Sequence, residues 1–169
     1  MVRIHAAGPT LLIIKCMLNK DAFSNGQIDS KLWLCRELEK LDWSSKLTHI
    51  YGGWYGMLAF LLLSREKFNV ERIESFDIDE SCASVANMLN ENWVIKDDKF
   101  RAYTANCNGD YLGDSDLIIN TSAEHFPSMD WFTSIPSGTR VIVQGNNMPH
   151  DDHYACSNSL DDFVNYKVI

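Results

Sequence analysis

The sequence predicts an α/β fold: a three-layer sandwich with a Rossmann-like, mostly parallel sheet. Three observations predict it. Short apolar runs at residues 47–51, 116–120 (DLIIN) and 139–144 (TRVIVQ) have the near-continuous hydrophobicity of strands covered on both faces. Segments with helical spacing lie between such runs, the alternation that builds βαβ units. In residues 48–79 a strand-like run breaks into Gly52-Gly53-Trp54-Tyr55-Gly56, continues through an apolar helical pattern, and ends a second strand in Asp77-Ile78-Asp79.

Taken in order, residues 1–18 fit either a strand or a short helix. Residues 21–27 (DAFSNGQ) form a polar turn. Leu32, Leu34, Leu38 and Leu41 give residues 28–41 a helical stripe, with Asp29 or Ser30 as N-cap. Trp33 fits either the core, the default, or the lid of a pocket. After the glycine turn a helix is expected over about residues 55–68, then a strand at 73–76. Residues 80–93 (ESCASVANMLNENW) read as a second helix with Ala83, Val85, Ala86 and Leu89 on its apolar face. A strand at 100–106, the strands at 116–120 and 139–144, a polar loop at 145–158 and a short helix at 160–166 complete the chain. The 169 residues suit one domain, a helical region over 1–42 followed by the α/β core over 43–169.

Composition excludes some functions. A formal net charge of −8 argues against sequence-independent binding to nucleic acid, which relies on clustered Lys and Arg. The apolar run at residues 10–18 contains Lys15 and is too short to span a bilayer, so no membrane association is expected. The five cysteines are scattered, odd in number and without a C-x-x-C pair, as in a reduced, cytoplasmic protein.

In a parallel sheet the glycine turn and the acid of the next strand end side by side. An acid about 20 residues beyond the glycines suits a ribose diol, and Asp77 lies 21 residues after Gly56. A diphosphate needs bare backbone at the turn, which Trp54 and Tyr55 would crowd. Adenosine without phosphate fits better, and S-adenosylmethionine is such a ligand. The plainer alternative is a tight turn that binds nothing.

The glycine turn, the D-I-D segment and DLIINTSAEH together resemble class I S-adenosylmethionine-dependent methyltransferases, particularly small methyltransferase-like proteins of phage and bacterial genomes. The likeness covers about residues 23–147. It implies that Gly52, Gly53, Trp54 and Gly56 form the turn beneath the methionine part of the cofactor. Asp77 would then hold the ribose, Ile78 would pack on adenine, and Asn106 would read its amino group where the family often has an acid. Asn120 and Thr121 would face the methyl group and the acceptor, with Glu124 and His125 beside them. The chain departs from the family in placing Tyr51 where an acid often precedes the glycines. It also lacks room for the usual C-terminal antiparallel strand pair, so either the chain is truncated or its sheet is shorter. A phage-encoded protein of this kind would work in the host cytoplasm.

Asn120 can accept from an amine and donate to a carbonyl at once, while Glu124 or His125 could take the acceptor's proton. These three are the catalytic candidates. The alternative roles are a helix cap for Glu124 and an ordinary surface or core position for His125. Trp54, Tyr55, Phe126 and Trp131 could flank a planar substrate or fill the core. The N-P-P-Y motif of adenine amino-methylating enzymes is absent beyond its first residue. His150-Asp151-Asp152-His153 contains zinc-ligand types. It follows Pro149 in a polar loop with no other ligand cluster apparent nearby, so it is read as a solvated loop and no metal is assigned. The leading function is methyl transfer from S-adenosylmethionine to an unidentified acceptor. A non-catalytic methyltransferase-like binding or virion-associated protein is the alternative. A nicotinamide oxidoreductase is more distant, because a catalytic Tyr-x-x-x-Lys is missing.

Overall fold

The computed structural model describes residues 18–167. The reading of residues 1–17 as strand or helix lies outside the described residues. Five strands form one sheet in the order β3-β2-β1-β4-β5: β1 (Ser44–Tyr51), β2 (Asn69–Asp77), β3 (Phe100–Thr104), β4 (Leu117–Asn120) and β5 (Arg140–Val143). Every pairing is parallel, and the described residues contain no antiparallel pair. The expected α/β sandwich with a Rossmann-like parallel sheet is observed.

β4 is buried at all four positions, which is why its sequence is apolar without alternation. The amino ends of β1, β4 and β5 are locked by Asp116. Its carboxylate accepts from Ser45 Oγ and the Leu47 N–H at 2.9 and 2.8 Å and pairs with Arg140 at 2.9 Å. These contacts sit at the edge opposite the strand ends that carry the site.

The helices are α1 (Asn25–Leu38), α2 (Met57–Leu63), α3 (Glu80–Leu89), α4 (Glu91–Ile95), α5 (Asp130–Thr133) and α6 (Leu160–Lys167). Several limits differ from the sequence reading. α1 starts earlier because Ser24, not Asp29 or Ser30, is its N-cap, its hydroxyl accepting from the Gln27 N–H at 3.5 Å. Leu34, Cys35 and Leu38 reach the core, whereas Leu41 lies beyond the helix and is exposed. Trp33 is 49% exposed and is not a core residue, since it falls on the face of α1 away from that stripe. The helix expected over residues 55–68 is only α2, because residues 54–56 remain in the turn. The predicted helix over residues 80–93 is two helices broken at Asn90. Asn90 is buried and donates to the carbonyls of Gly56 and Ala86, fastening the break to the glycine turn.

One core cluster joins α1, α2, β1 and β2 through Leu34, Leu38, Ile50, Leu58, Leu62 and Ile73. A second lies around Tyr51, Phe76, Ile118 and the fully buried Trp131. α1 therefore shares the core of the sheet. Among the described residues Cys35, Cys82, Cys107 and Cys156 are free, and no helix is long and apolar enough to cross a membrane.

Candidate functional site

β1 is the central strand, with β2 on one side and β4 on the other. Connections diverge at this reversal of strand order, which opens a cleft beyond the carboxyl ends of the strands. A crevice of about 660 Å³ occupies that place, within the range of small-ligand sites. Gly52 and Trp54 enter it from the end of β1, Asp77 and Ile78 from β2, Asn106 from beyond β3, and Glu124 and His125 from beyond β4.

The glycine turn is closed by its own hydrogen bonds. Gly53 N–H donates to the Phe76 carbonyl at 3.0 Å and Gly56 N–H to the Gly53 carbonyl at 2.9 Å. Trp54 N–H donates to Asp77 Oδ2 at 2.8 Å. Three amides of the turn, those of Gly53, Trp54 and Gly56, are thus already used within the protein, and Trp54 holds a left-handed φ of 48°. Each glycine is needed for a different approach. A Cβ on Gly53 would lie 1.9 Å from Ser75 Oγ, and one on Gly56 would lie 2.7 Å from Asn90 Nδ2. Neither residue borders the large crevice, though Gly53 lines a smaller neighbouring hollow, and their lack of a side chain permits close packing within the protein. Gly52 does border it and gives room to Ser122, whose hydroxyl donates to the Gly52 carbonyl at 3.1 Å.

Asp77 accepts from Trp54 N–H on one oxygen and from Asp79 N–H on the other, the latter at 3.0 Å. Burial raises its pKa, and the two backbone donors counter that shift. Each carboxylate oxygen can accept a further bond, which suits a diol. Ile78 is 72% exposed although apolar, and it lies in the crevice wall beside Asp77, as a platform for a flat ring would. The Asn106 side chain accepts from Asn108 N–H at 3.0 Å, leaving its amide donors available. These groups fit an adenosine.

Beyond β4 the arrangement departs from expectation. Asn120 is fully buried and does not border the crevice. Its Oδ1 accepts from Ser122 N–H at 3.0 Å, so it braces the strand exit rather than facing an acceptor. Thr121 lines a smaller neighbouring hollow with Lys31, and the Lys31 pKa is lowered by burial. Tyr55 and Trp131 are buried core aromatics. Trp54 and Phe126 line the crevice.

Glu124 is 5% exposed and His125 is exposed, both on a 3-10 turn, Ala123–His125. The loop after β5 folds back over this turn. Tyr154 N–H donates to the Glu124 carbonyl at 2.7 Å, and the His125 ring nitrogen Nδ1 meets the Asp152 carbonyl at 3.2 Å. That return brings His153 to the pair: one ligand-type atom from each of Glu124, His125 and His153 lies within 4.8 Å of the others. The sequence reading kept the His150–His153 loop apart from Glu124 and His125. Chain separation hid the grouping, and the E-H pair was the one signal that could have suggested it.

No protein-family model matches the sequence, and no curated protein matches it. Solved structures do resemble it. The small RNA methyltransferase HEN1 aligns with 86% of this chain and 21% of its own, at TM-score 0.66 and 16% identity. A putative methyltransferase from Bacillus halodurans aligns at TM-score 0.55 and 15% identity, covering 73% of this chain and 54% of that one. The fold is that of the class I S-adenosylmethionine-dependent methyltransferases. Geranyl diphosphate C-methyltransferase from Streptomyces coelicolor, solved with S-adenosyl-L-homocysteine, shares this methyltransferase fold at TM-score 0.54 and 18% identity, over 69% of this chain and 45% of that one. The chain spans about half the length of several of the methyltransferase structures it resembles.

Proposed function

We propose that this chain is an S-adenosylmethionine-dependent methyltransferase. The observation that carries the reading is the crevice at the β1–β4 switch point. It joins an adenosine-compatible wall, Asp77 and Ile78, to a polar group after β4, Glu124 and His125. When bound, S-adenosylmethionine supplies a methyl group activated by its sulfonium charge, so the protein mainly has to position and desolvate.

In this reading Asp77 accepts hydrogen bonds from the ribose hydroxyls, and Ile78 covers one face of the adenine. Asn106 offers its amide to the adenine edge. Gly52 allows the chain to pass close to the ligand. Glu124 and His125 receive the acceptor at the far part of the crevice. The net charge of −8 disfavours a long nucleic-acid footprint and leaves the acceptor class to be found by experiment.

Calorimetric titration with S-adenosylmethionine, S-adenosylhomocysteine and NAD in parallel tests the cofactor. Saturable binding of the first two and none of NAD is expected. NAD binding in their place would sink the reading. A screen of nucleosides, RNA, DNA, small alcohols and amines with labelled methyl donor then identifies the acceptor.

A further inference from the structure

We propose that Glu124, His125 and His153 form a binding site for a divalent first-row transition-metal cation that holds a hydroxyl group of the methyl acceptor. The acceptor role rests on the methyltransferase reading above, whereas the cation site stands on its own geometry.

Three observations converge on the site. Ligand-type atoms from the three side chains lie within 4.8 Å of one another, and small side-chain rotations would bring them to the roughly 2.0–2.2 Å bond lengths of such ions. Glu124 is nearly fully buried, yet its Oε2 has no hydrogen-bond partner. Its Oε1 accepts from the Asn146 amide. An uncompensated buried carboxylate oxygen is costly, and a cation would compensate it.

The histidines provide the third observation. His153 Nδ1 lies 2.7 Å from the Met148 carbonyl, and His125 Nδ1 lies 3.2 Å from the Asp152 carbonyl. A carbonyl only accepts, so each Nδ1 carries the proton and each Nε2 keeps its lone pair. Second-sphere bonds of this kind orient metal-binding imidazoles. The rings meet edge to face, with centroids 4.6 Å apart.

Two imidazoles and one carboxylate favour manganese, iron, cobalt or zinc over magnesium or calcium. All three residues border the large crevice, and three protein ligands leave coordination positions free on that side. A cation there would lower the pKa of a coordinated hydroxyl. The O–H proton passes to water while its electron pair stays on oxygen, which becomes the nucleophile. An alcohol gains most from this, because a neutral amine already has a free pair.

The full chain is titrated with Mn²⁺ and Zn²⁺ by calorimetry, with the Co²⁺ absorption spectrum as a report on imidazole ligation. One saturable site per chain is expected, weakened at least tenfold in His153→Ala and in Glu124→Gln. His153→Ala keeps the test open if the buried Glu124 variant fails to fold. His150→Ala should bind within twofold of the parent chain. Absence of saturable binding overturns the proposal, as does equal binding by both ligand variants. Loss confined to His150→Ala would assign the ion to the local loop and also overturns it. In the acceptor screen run with Mn²⁺, stimulation of an amine but of no alcohol overturns the acceptor class. S-adenosylmethionine binding is measured separately, so failure there sinks the methyltransferase reading and leaves the cation result intact.

Discussion

The carboxylate of Asp77 and the backbone N–H of Trp54 are joined at 2.8 Å, tying the end of β2 to the turn that leaves β1. The same carboxylate receives Asp79 N–H at 3.0 Å. Asp77 therefore shapes the crevice wall as well as facing the crevice, and a substitution there acts on both.

Asp77→Ala should weaken S-adenosylmethionine binding by about 1.5–3 kcal/mol, the scale of charge-assisted hydrogen bonds. It should also cost about 1–3 kcal/mol of stability, because two backbone donors lose their acceptor. Titration calorimetry and denaturant melts measure the two effects. Unchanged affinity in folded protein would show that Asp77 holds only the turn.

Gly56→Ala should destabilise the fold by about 2–5 kcal/mol, combining a left-handed backbone with overpacking. Gly56 has φ 73°, and its added Cβ would meet Asn90, Ala86 and Phe100. Cofactor affinity of the folded fraction should stay within twofold, since Gly56 does not border the large crevice. A large affinity loss at unchanged stability would place Gly56 in the cofactor site.

His49 is 1% exposed, and neither ring nitrogen has a hydrogen-bond partner. Burial lowers its pKa, and Glu74, 3.6 Å away, only partly opposes the shift. Below the unfolded value of about 6.5 the unfolded chain binds a proton that the folded chain resists. Its contribution to stability is therefore intact above about pH 6.5 and falls on acidification, by up to about 1.4 kcal/mol per pH unit. Further loss stops once pH is below the folded value as well. His49→Phe, placed beside Tyr51 and Phe76, should flatten that acid limb in melts taken across pH 5–8. An unchanged limb would assign it to other groups.

The sequence by itself determined the sheet and one side of the crevice. Unalternating apolar runs made DLIIN and TRVIV legible as strands, although only β4 is buried throughout and β5, at the sheet edge, is partly exposed. The acid that ends β2 was legible from its spacing to the glycines. Helix limits were less legible, because a cap such as Ser24 or a break such as Asn90 depends on bonds to one particular neighbour. The turn glycines look alike in sequence, yet only contact with Ser75, Asn90 or Ser122 says which of them pack inward and which borders the cleft. The tertiary structure also decided that Asn120 points into the protein, since burial at a strand end depends on what covers it. It alone joined Glu124 and His125 to His153. The Tyr154 backbone N–H and the His125 ring fold the loop after β5 onto the turn after β4, and proximity created by such a return leaves no periodic mark in the sequence.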